Sequence, residues 1–328
     1  MILTTPSGEN IEVAEYVKKW GRSASIALLD PTCEIYKSPH IDGVIGYRCE
    51  AGSAFVFGDP LCEQSVKTQL AQSFDEYCKK NNQNVVYTQV SDEFARWGLE
   101  HYKGALVQVG EEFFVDPQNN PTEGADARML RKKINHAKHE GATVLEYTEH
   151  RPDLENEFEQ AKNQWLSSRK GPQIYLSNVQ LFKDRSSKRW FYALKNNRVV
   201  GLCMLNRLEL KEGWVLNLLM ATPDAPNGTT ELLVVSVLDI LRNEGCHYLT
   251  FGVVTAEDLD PILGLNPFTS WCAKKAFKGA KWIFNLDGRR KYWEKYKPQG
   301  ESSHVLFTRN KISLCDVLGL MKAMNVKL

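Results

Sequence analysis

The chain has 328 residues, 43% of them hydrophobic and 25% charged, with a formal net charge of +1. That length suits two domains of roughly 100–200 residues each. The near-neutral balance excludes a global field that would draw in nucleic acid or membrane, so any such binding has to come from a local patch.

A short helix is expected over residues 11–20. A hairpin follows, with strands 44–49 and 54–57 around a turn at 50–52. Asp59 reads as a helix N-cap and Pro60 as the first helical residue, so the next helix is expected over 61–81. A strand (85–89), a helix (92–102) and two strands (106–109 and 112–115) complete the first half. The second half opens with a helix over 152–168 and an irregular stretch over 169–187. Strands 190–195 and 199–208 are joined by a turn at Asn196-Asn197, and a third strand covers 214–220. TPDAPNGTT then punctuates the chain before a helix over 230–244 and a buried strand over 248–253. Each half thus reads as antiparallel hairpin, loop, helix, strand. This is the order of an acetyltransferase-like fold used twice. The expected class is α/β (α+β): tandem acetyltransferase-like domains over 1–145 and 146–328, with mixed, mostly antiparallel sheets flanked by helices and a C-terminal helix on the second.

The longest uncharged apolar run, 232–238, is far short of the roughly 20 residues that a membrane span needs. The opening MILTTPSGENIEV lacks the basic and apolar regions of a signal peptide. A cytoplasmic protein, at most peripheral on a membrane, is expected. The eight cysteines (33, 49, 62, 78, 203, 246, 272 and 315) contain no CxxC pair, which argues against a zinc site or a disulfide framework. Cys272, in TSWCAKK, is the one weighed as a nucleophile. His136 and His139 have a metal-like spacing but lie among cations that repel a metal, and no metal or other cofactor is expected. No GxSxG, Walker lysine or GxGxxG occurs.

Three segments carry charge patterns with chemical meaning. At 100° per residue from Ala125, Arg128, Arg131, Lys132, Lys138 and His139 fall on one helical face, while Leu130, Ile134 and Ala137 fall on another; Lys133 lies off the stripe. Such a face suits a polyphosphate backbone, or is simply solvated. Asn227, Gly228 and Thr229 form a strand-to-helix turn whose amides could cradle an anion. A coenzyme A enzyme would carry two glycines there. This turn has one, between prolines and threonines, which argues against coenzyme A. In FNLDGRRKYWEKYKP (284–298), Arg290, Lys291, Lys295 and Lys297 interleave with Tyr292, Trp293 and Tyr296. That mixture suits an anionic head group or a nucleic-acid end, or a helix packing its aromatics inward. Leu314, Val317, Leu318, Met321, Met324 and Leu328 form an apolar stripe that reads as core.

In register along residues 20–310, these segments resemble the C-terminal catalytic domain of phosphatidylglycerol lysyltransferases, the multiple peptide resistance factor family. IGYRCEAGSAFVFGDP, with Asp59, is similar to the family's GYR…GDP hairpin, and VGEEFFVD to its strand pair. ARMLRKKINHAKHEG is similar to its basic helix and PDAPNGTTELL to its PNG turn. YLTFGV is similar to its last strand and DGRRKYWEKYKP to its closing motif.

The resemblance implies transfer of an aminoacyl group from aminoacyl-tRNA to a lipid hydroxyl at a membrane surface, with no transmembrane segment in this stretch and no role for DNA. Similar domains aminoacylate sterols in fungi. The family's D-L-M-R strand has Asn217 and Met220 here in place of its acid and arginine, and the FK.KF close keeps only its second lysine, Lys295, with Trp293 at a position where a cation is expected. An amide orients a hydroxyl but is no general base at neutral pH. The resemblance therefore assigns Lys295 to the oxyanion or a phosphate, and Asn217 to the acceptor hydroxyl. Arg290, Trp293, Met220, Asn227, Gly228, Thr229 and Asp59 are assigned to substrate, and Arg128, Arg131, Lys132 and Lys138 to tRNA. Met220 and Trp293 predict an apolar pocket and hence a neutral, sterol-like acceptor. The rival readings are a coenzyme A-dependent N-acyltransferase, a peptidyl-type transferase, and a non-catalytic RNA- or lipid-binding relative.

Overall fold

The computed structural model describes residues 2–4, 10–168, 179–257, 262–265, 267, 270, 274–275 and 287–324. Strands β1 (Ile2–Thr4) and β2 (Asn10–Glu12) form a small antiparallel pair ahead of helix α1 (Val13–Trp20) and a 3₁₀ turn, Ser23–Leu29. The first half continues with β3 (Glu34–Lys37), β4 (Gly43–Glu50), β5 (Ser53–Phe57) and β6 (Leu61–Cys62). Then come α2 (Lys67–Lys80), β7 (Asn84–Val90), α3 (Asp92–Tyr102) and β8 (Ala105–Val115). The expected hairpin is present as β4 and β5. Ala51 (φ 49°) and Gly52 (φ 78°) take the left-handed conformation that a two-residue hairpin turn demands.

Two expectations in this half need correction. Residues 61–62 form a strand paired with β4, and the helix starts only at Lys67. Asp59 is not its cap: its carboxylate accepts from the Ser91 amide (2.9 Å) and hydroxyl (2.7 Å) and pairs with Lys67 (3.3 Å). Ser91 in turn caps α3 by accepting from the Phe94 amide. Residues 105–115 form one long strand instead of two short ones.

The chain continues with α4 (Arg128–His139), β9 (Thr143–Tyr147), α5 (Pro152–Ser168), β10 (Lys188–Lys195), β11 (Arg198–Leu208) and β12 (Gly213–Ala221). It closes with α6 (Thr229–Asn243), β13 (Leu249–Thr255), α7 (Asp287–Glu294), β14 (Gln299–Phe307) and α8 (Leu314–Ala323). Each half contains the same unit: an antiparallel hairpin, a crossing helix, and a strand that returns parallel to the hairpin's second strand. In the first half β7 lies parallel to β5, in the second β13 lies parallel to β12.

One mostly antiparallel sheet joins them in the order β3-β4-β5-β7-β14-β8-β13-β12-β11-β10-β9. The late strand β14 lies between β7 and β8, and β8 is bonded on its other edge to β13. Helices cover both faces. α4 and α6 pack over Phe191, Leu205 and Phe251, and α5 packs Phe158 against Tyr192 and Leu202. α2 and α3 bury Phe74 and Phe94 on the first half. Each such side chain fully withdrawn from water contributes roughly 1.5–3 kcal/mol. On α8 the inward face is Asp316, Gly319 and Ala323, and Leu318 is exposed, so the expected C-terminal stripe is rotated. Leu328 and Cys272 lie outside the described residues.

Candidate functional site

The parallel strands β12 and β13 pair only at Trp214–Leu249 and Val215–Thr250, then part. A cleft of about 230 Å³ opens between them. Its walls include Leu216, Asn217 and Leu218 on one side and Phe251, Gly252 and Val253 on the other. The 3₁₀ turn closes it with Ser23, Ile26 and Ala27, and Lys183, Lys188 and Arg289 also line it. That volume is just below the roughly 300–1,000 Å³ usual for small-molecule sites.

Three β-bulges point into this cleft. Leu216 pairs with Leu205 and Leu218 with Met204, so Asn217 is an extra residue on β12. Thr250 pairs with Phe114 and Gly252 with Phe113, so Phe251 is extra on β13, with Gly252 at φ 79°. On β7, Thr88 and Gln89 stand opposite the single residue Val305, with Gln89 at φ 55°. A bulge takes its extra residue out of the ladder and re-aims its side chain. Beyond Val215 and Thr250 the two strands no longer pair; the Gly252 amide donates to Thr250 Oγ1 (3.0 Å) and the Phe251 carbonyl accepts from Arg289 (3.1 Å) instead.

Asn217 is exposed in the cleft, and its Nδ2 donates to Oδ1 of the buried Asn206 (3.0 Å). Asn206 is the cross-strand partner of Lys188. Opposite residues share a sheet face, so Lys188, Asn206 and Asn217 form a polar ladder across β10, β11 and β12. The Lys188 ammonium donates to the carbonyls of Gln180 (3.2 Å) and Lys183 (2.5 Å). Burial pushes its pKa down to about 8.

The other expected substrate residues are placed elsewhere. Met220 is fully buried with Phe158, Tyr192 and Leu218, and Trp293 is buried one layer behind the wall, stacked on Phe251 at 4.2 Å. Neither faces the cleft. Arg290 is held by Glu111 (2.5 Å) and the Thr255 carbonyl (3.1 Å). Lys295 is not among the cleft's lining residues. With Lys133 it grips Glu231, at 2.5 and 2.9 Å, and so ties α7 and α4 to the first turn of α6. Glu231 is 3% exposed. Burial alone would raise its pKa, but hydrogen bonds from the two lysines and the Lys295 charge hold it down at about 2.

The turn before α6 is equally committed. Thr229 donates to the Pro226 carbonyl (2.7 Å), and the Asn227 carbonyl meets His136 Nδ1 at 3.1 Å. Gly228 has φ 97°, and a Cβ there would lie 2.1 Å from the Lys133 carbonyl oxygen. The α4 backbone thus packs directly against this helix start. Gly228→Ala should therefore lower the denaturant midpoint, since both the backbone strain and the clash are unfavourable, by about 1–3 kcal/mol in stability. An unchanged midpoint would show that α4 yields easily.

On α4, Arg128, Lys132, Lys138 and His139 are exposed and Leu130, Ile134 and Ala137 are buried, as the periodicity predicts. Arg131 departs from the stripe: its guanidinium donates to the Thr122 (2.6 Å) and Gly124 (2.7 Å) carbonyls. Among the described residues, no group of three or more histidine, cysteine or acidic side chains is placed to hold a metal, and no helix is long and apolar enough to cross a membrane.

Comparison with known proteins agrees with the resemblance. The profile of the family described as phosphatidylglycerol lysyltransferase, C-terminal, matches residues 15–307. The phosphatidylglycerol lysyltransferase of Staphylococcus haemolyticus is 23% identical over 286 residues, covering 86% of this chain and 33% of that protein. Its counterpart from Staphylococcus aureus strain MSSA476 is 23% identical over 270 residues, covering 80% and 31%. The chain thus spans about a third of the length of these curated relatives. Among solved structures, the C-terminal domain of a putative lysylphosphatidylglycerol synthetase from Agrobacterium fabrum matches with TM-score 0.75 at 19% identity, covering 95% of this chain and 96% of that one. L-PGS from Bacillus licheniformis matches with TM-score 0.76 at 17% identity, covering 98% and 97%. These likenesses show a shared fold.

Proposed function

Because the chain belongs to the family of phosphatidylglycerol lysyltransferase C-terminal domains, we propose that it moves an amino acid from aminoacyl-tRNA to a lipid hydroxyl in the cleft where β12 and β13 part. The observation that carries this reading is the bulge that exposes Asn217 in the small cleft opened where β12 and β13 part. An aminoacyl ester is already activated, so transfer to another hydroxyl is a near-balanced ester exchange. Its barrier is the tetrahedral oxyanion, which the donors Lys183 and Arg289 in the cleft lining would stabilise as the charge develops. Asn217 orients the acceptor hydroxyl. Lys295, bound to Glu231, supports the site by fixing α7, which carries Arg289 and Trp293.

The exposed stripe of α4 supports the tRNA donor, and the single glycine of the turn before α6 speaks against coenzyme A. Changing Arg128, Lys132 and Lys138 together to alanine should weaken binding of every tRNA about equally. It should also reduce the salt slope by roughly 0.7–0.9 per lost phosphate contact. Arg131 stays in place because its guanidinium holds the preceding loop. An unchanged slope in a folded variant would make the stripe a solvated face only. Micromolar acetyl-CoA binding without tRNA affinity would favour the N-acyltransferase reading.

The acceptor also shifts from the sequence-based expectation. A neutral, sterol-like lipid was expected from Met220 and Trp293, and both are core residues. Lys183 and Arg289 line the cleft beside Asp30 and Asp184, and the family match favours an acceptor that carries a phosphate. Incubation with charged tRNA and a lipid extract, followed by mass spectrometry, tests the reading: aminoacylated lipid supports it, and unmodified lipid opposes it.

A further inference from the structure

The proposed chemistry leaves one role unfilled. An acceptor hydroxyl must lose its proton as it attacks the ester, and an asparagine amide cannot take it. Among the described residues, the titratable groups that line the cleft are Asp30, Lys183, Asp184, Lys188 and Arg289. Asp30 is bound to Arg48 (3.3 Å) and, through the same oxygen, to the Thr32 amide (2.9 Å) and hydroxyl (2.7 Å). The Arg289 guanidinium donates to the Phe251 carbonyl (3.1 Å) and does not lose its proton in the working range.

Lys188 differs from these. Its Nζ has two carbonyl partners, Gln180 and Lys183. A neutral amine has two N–H bonds and one lone pair. With both N–H bonds given to these carbonyls, the lone pair is left for a third partner. Lys188 lies opposite Asn206, whose side chain fixes Asn217. The same cleft therefore holds the amide that orients the hydroxyl and the amine that could receive its proton.

We propose that Lys188 is the proton carrier of the transfer, taking the place of the acid that the strand lacks at Asn217. This rests on the aminoacyl-transfer reading of the cleft. In the step, the acceptor oxygen bonds to the ester carbonyl carbon while its proton passes to Lys188 Nζ. The tetrahedral adduct then collapses, the bond to the ribose oxygen breaks, and the Lys188 ammonium returns the proton to that oxygen. No oxidant, reductant or further reactant is needed. The local charges suit a proton carrier. Burial, Lys183 and Arg185 lower the pKa of Lys188 to about 8, and Asp184 opposes them. Asp30, just after the 3₁₀ turn, and Arg289 on α7 line the same cleft and add one charge of each sign.

The test compares wild type, Lys188→Arg and Lys188→Met as full-length proteins, using radiolabelled aminoacyl-tRNA and phosphatidylglycerol vesicles from pH 6.5 to 9. Spontaneous ester hydrolysis is subtracted with an enzyme-free control. The wild-type rate should rise with pH and level off above about 8. Arginine can still bond both carbonyls but stays protonated. Lys188→Arg should therefore keep the wild-type melting temperature and lose roughly 10²–10⁴-fold in kcat, with no rise near pH 8. Lys188→Met should lose as much, whatever its stability. If Lys188→Arg keeps the wild-type rate and pH profile, Lys188 only pins the preceding loop and this inference falls alone. If wild type transfers nothing, the aminoacyl-transfer reading falls and takes this inference with it.

Discussion

Glu231→Ala should destabilise the protein by about 3 kcal/mol, the low end for removing one partner of a buried ion pair. Two lysines then face each other at the start of α6 with no counter-charge, and one anchor of α7 is lost. The melting temperature should fall by about 5 °C or more. The effect has a pH signature. The Glu231 carboxyl is held at about 2 in the folded protein, below its ordinary 4.5, so its contribution is fully present above pH 4.5 and fades as pH falls towards 2. The gap between wild type and Glu231→Gln in denaturant unfolding should therefore be widest above pH 5 and narrow below 4. A gap constant down to pH 3 would mean that shape, not charge, holds the junction.

Asn217→Leu should lower kcat by about 10²-fold while leaving tRNA affinity within about twofold, because a misplaced acceptor hydroxyl is penalised only in the chemical step. Leucine keeps the approximate volume and loses both amide functions, and Asn206 then has no partner for its Oδ1. Asn206→Leu in the same background should restore stability without restoring rate. Equal activity of wild type and Asn217→Leu would move the chemistry away from this cleft.

Local signals in the sequence mark much of the fold. The helix over 92–102 follows from Ser91 and the apolar spacing, and the helix over 152–168 from Pro152 at its first position. Asn196-Asn197, both at positive φ, give the β10–β11 hairpin its turn. Misreadings arise where a local signal is used non-locally. Asp59-Pro60 looks like a helix start, but its carboxylate is taken by Ser91, 32 residues away. β14 could not be placed between β7 and β8 because no local pattern encodes that pairing.

The same distinction governs the site. Asn217 was legible as a departure from a family motif. Gln89, Phe251 and Lys188 were not, because a bulge or a cross-strand neighbour is a matter of register between segments. Met220 and Trp293 have the residue types of an apolar pocket. Burial on one side of a strand and behind an aromatic stack places them in the core instead.

The most direct measurement follows a labelled amino acid from tRNA into lipid. Purified protein is mixed with radiolabelled aminoacyl-tRNA and vesicles of phosphatidylglycerol, or of a neutral phospholipid with sterol, and the lipid phase is extracted over time. The account predicts enzyme-dependent label in the phosphatidylglycerol extract, abolished by prior ribonuclease digestion and sharply reduced in Asn217→Leu. Label confined to the sterol would overturn the phosphate-bearing acceptor. No label in either lipid, from folded protein that binds the charged tRNA, would contradict lipid aminoacyl transfer itself.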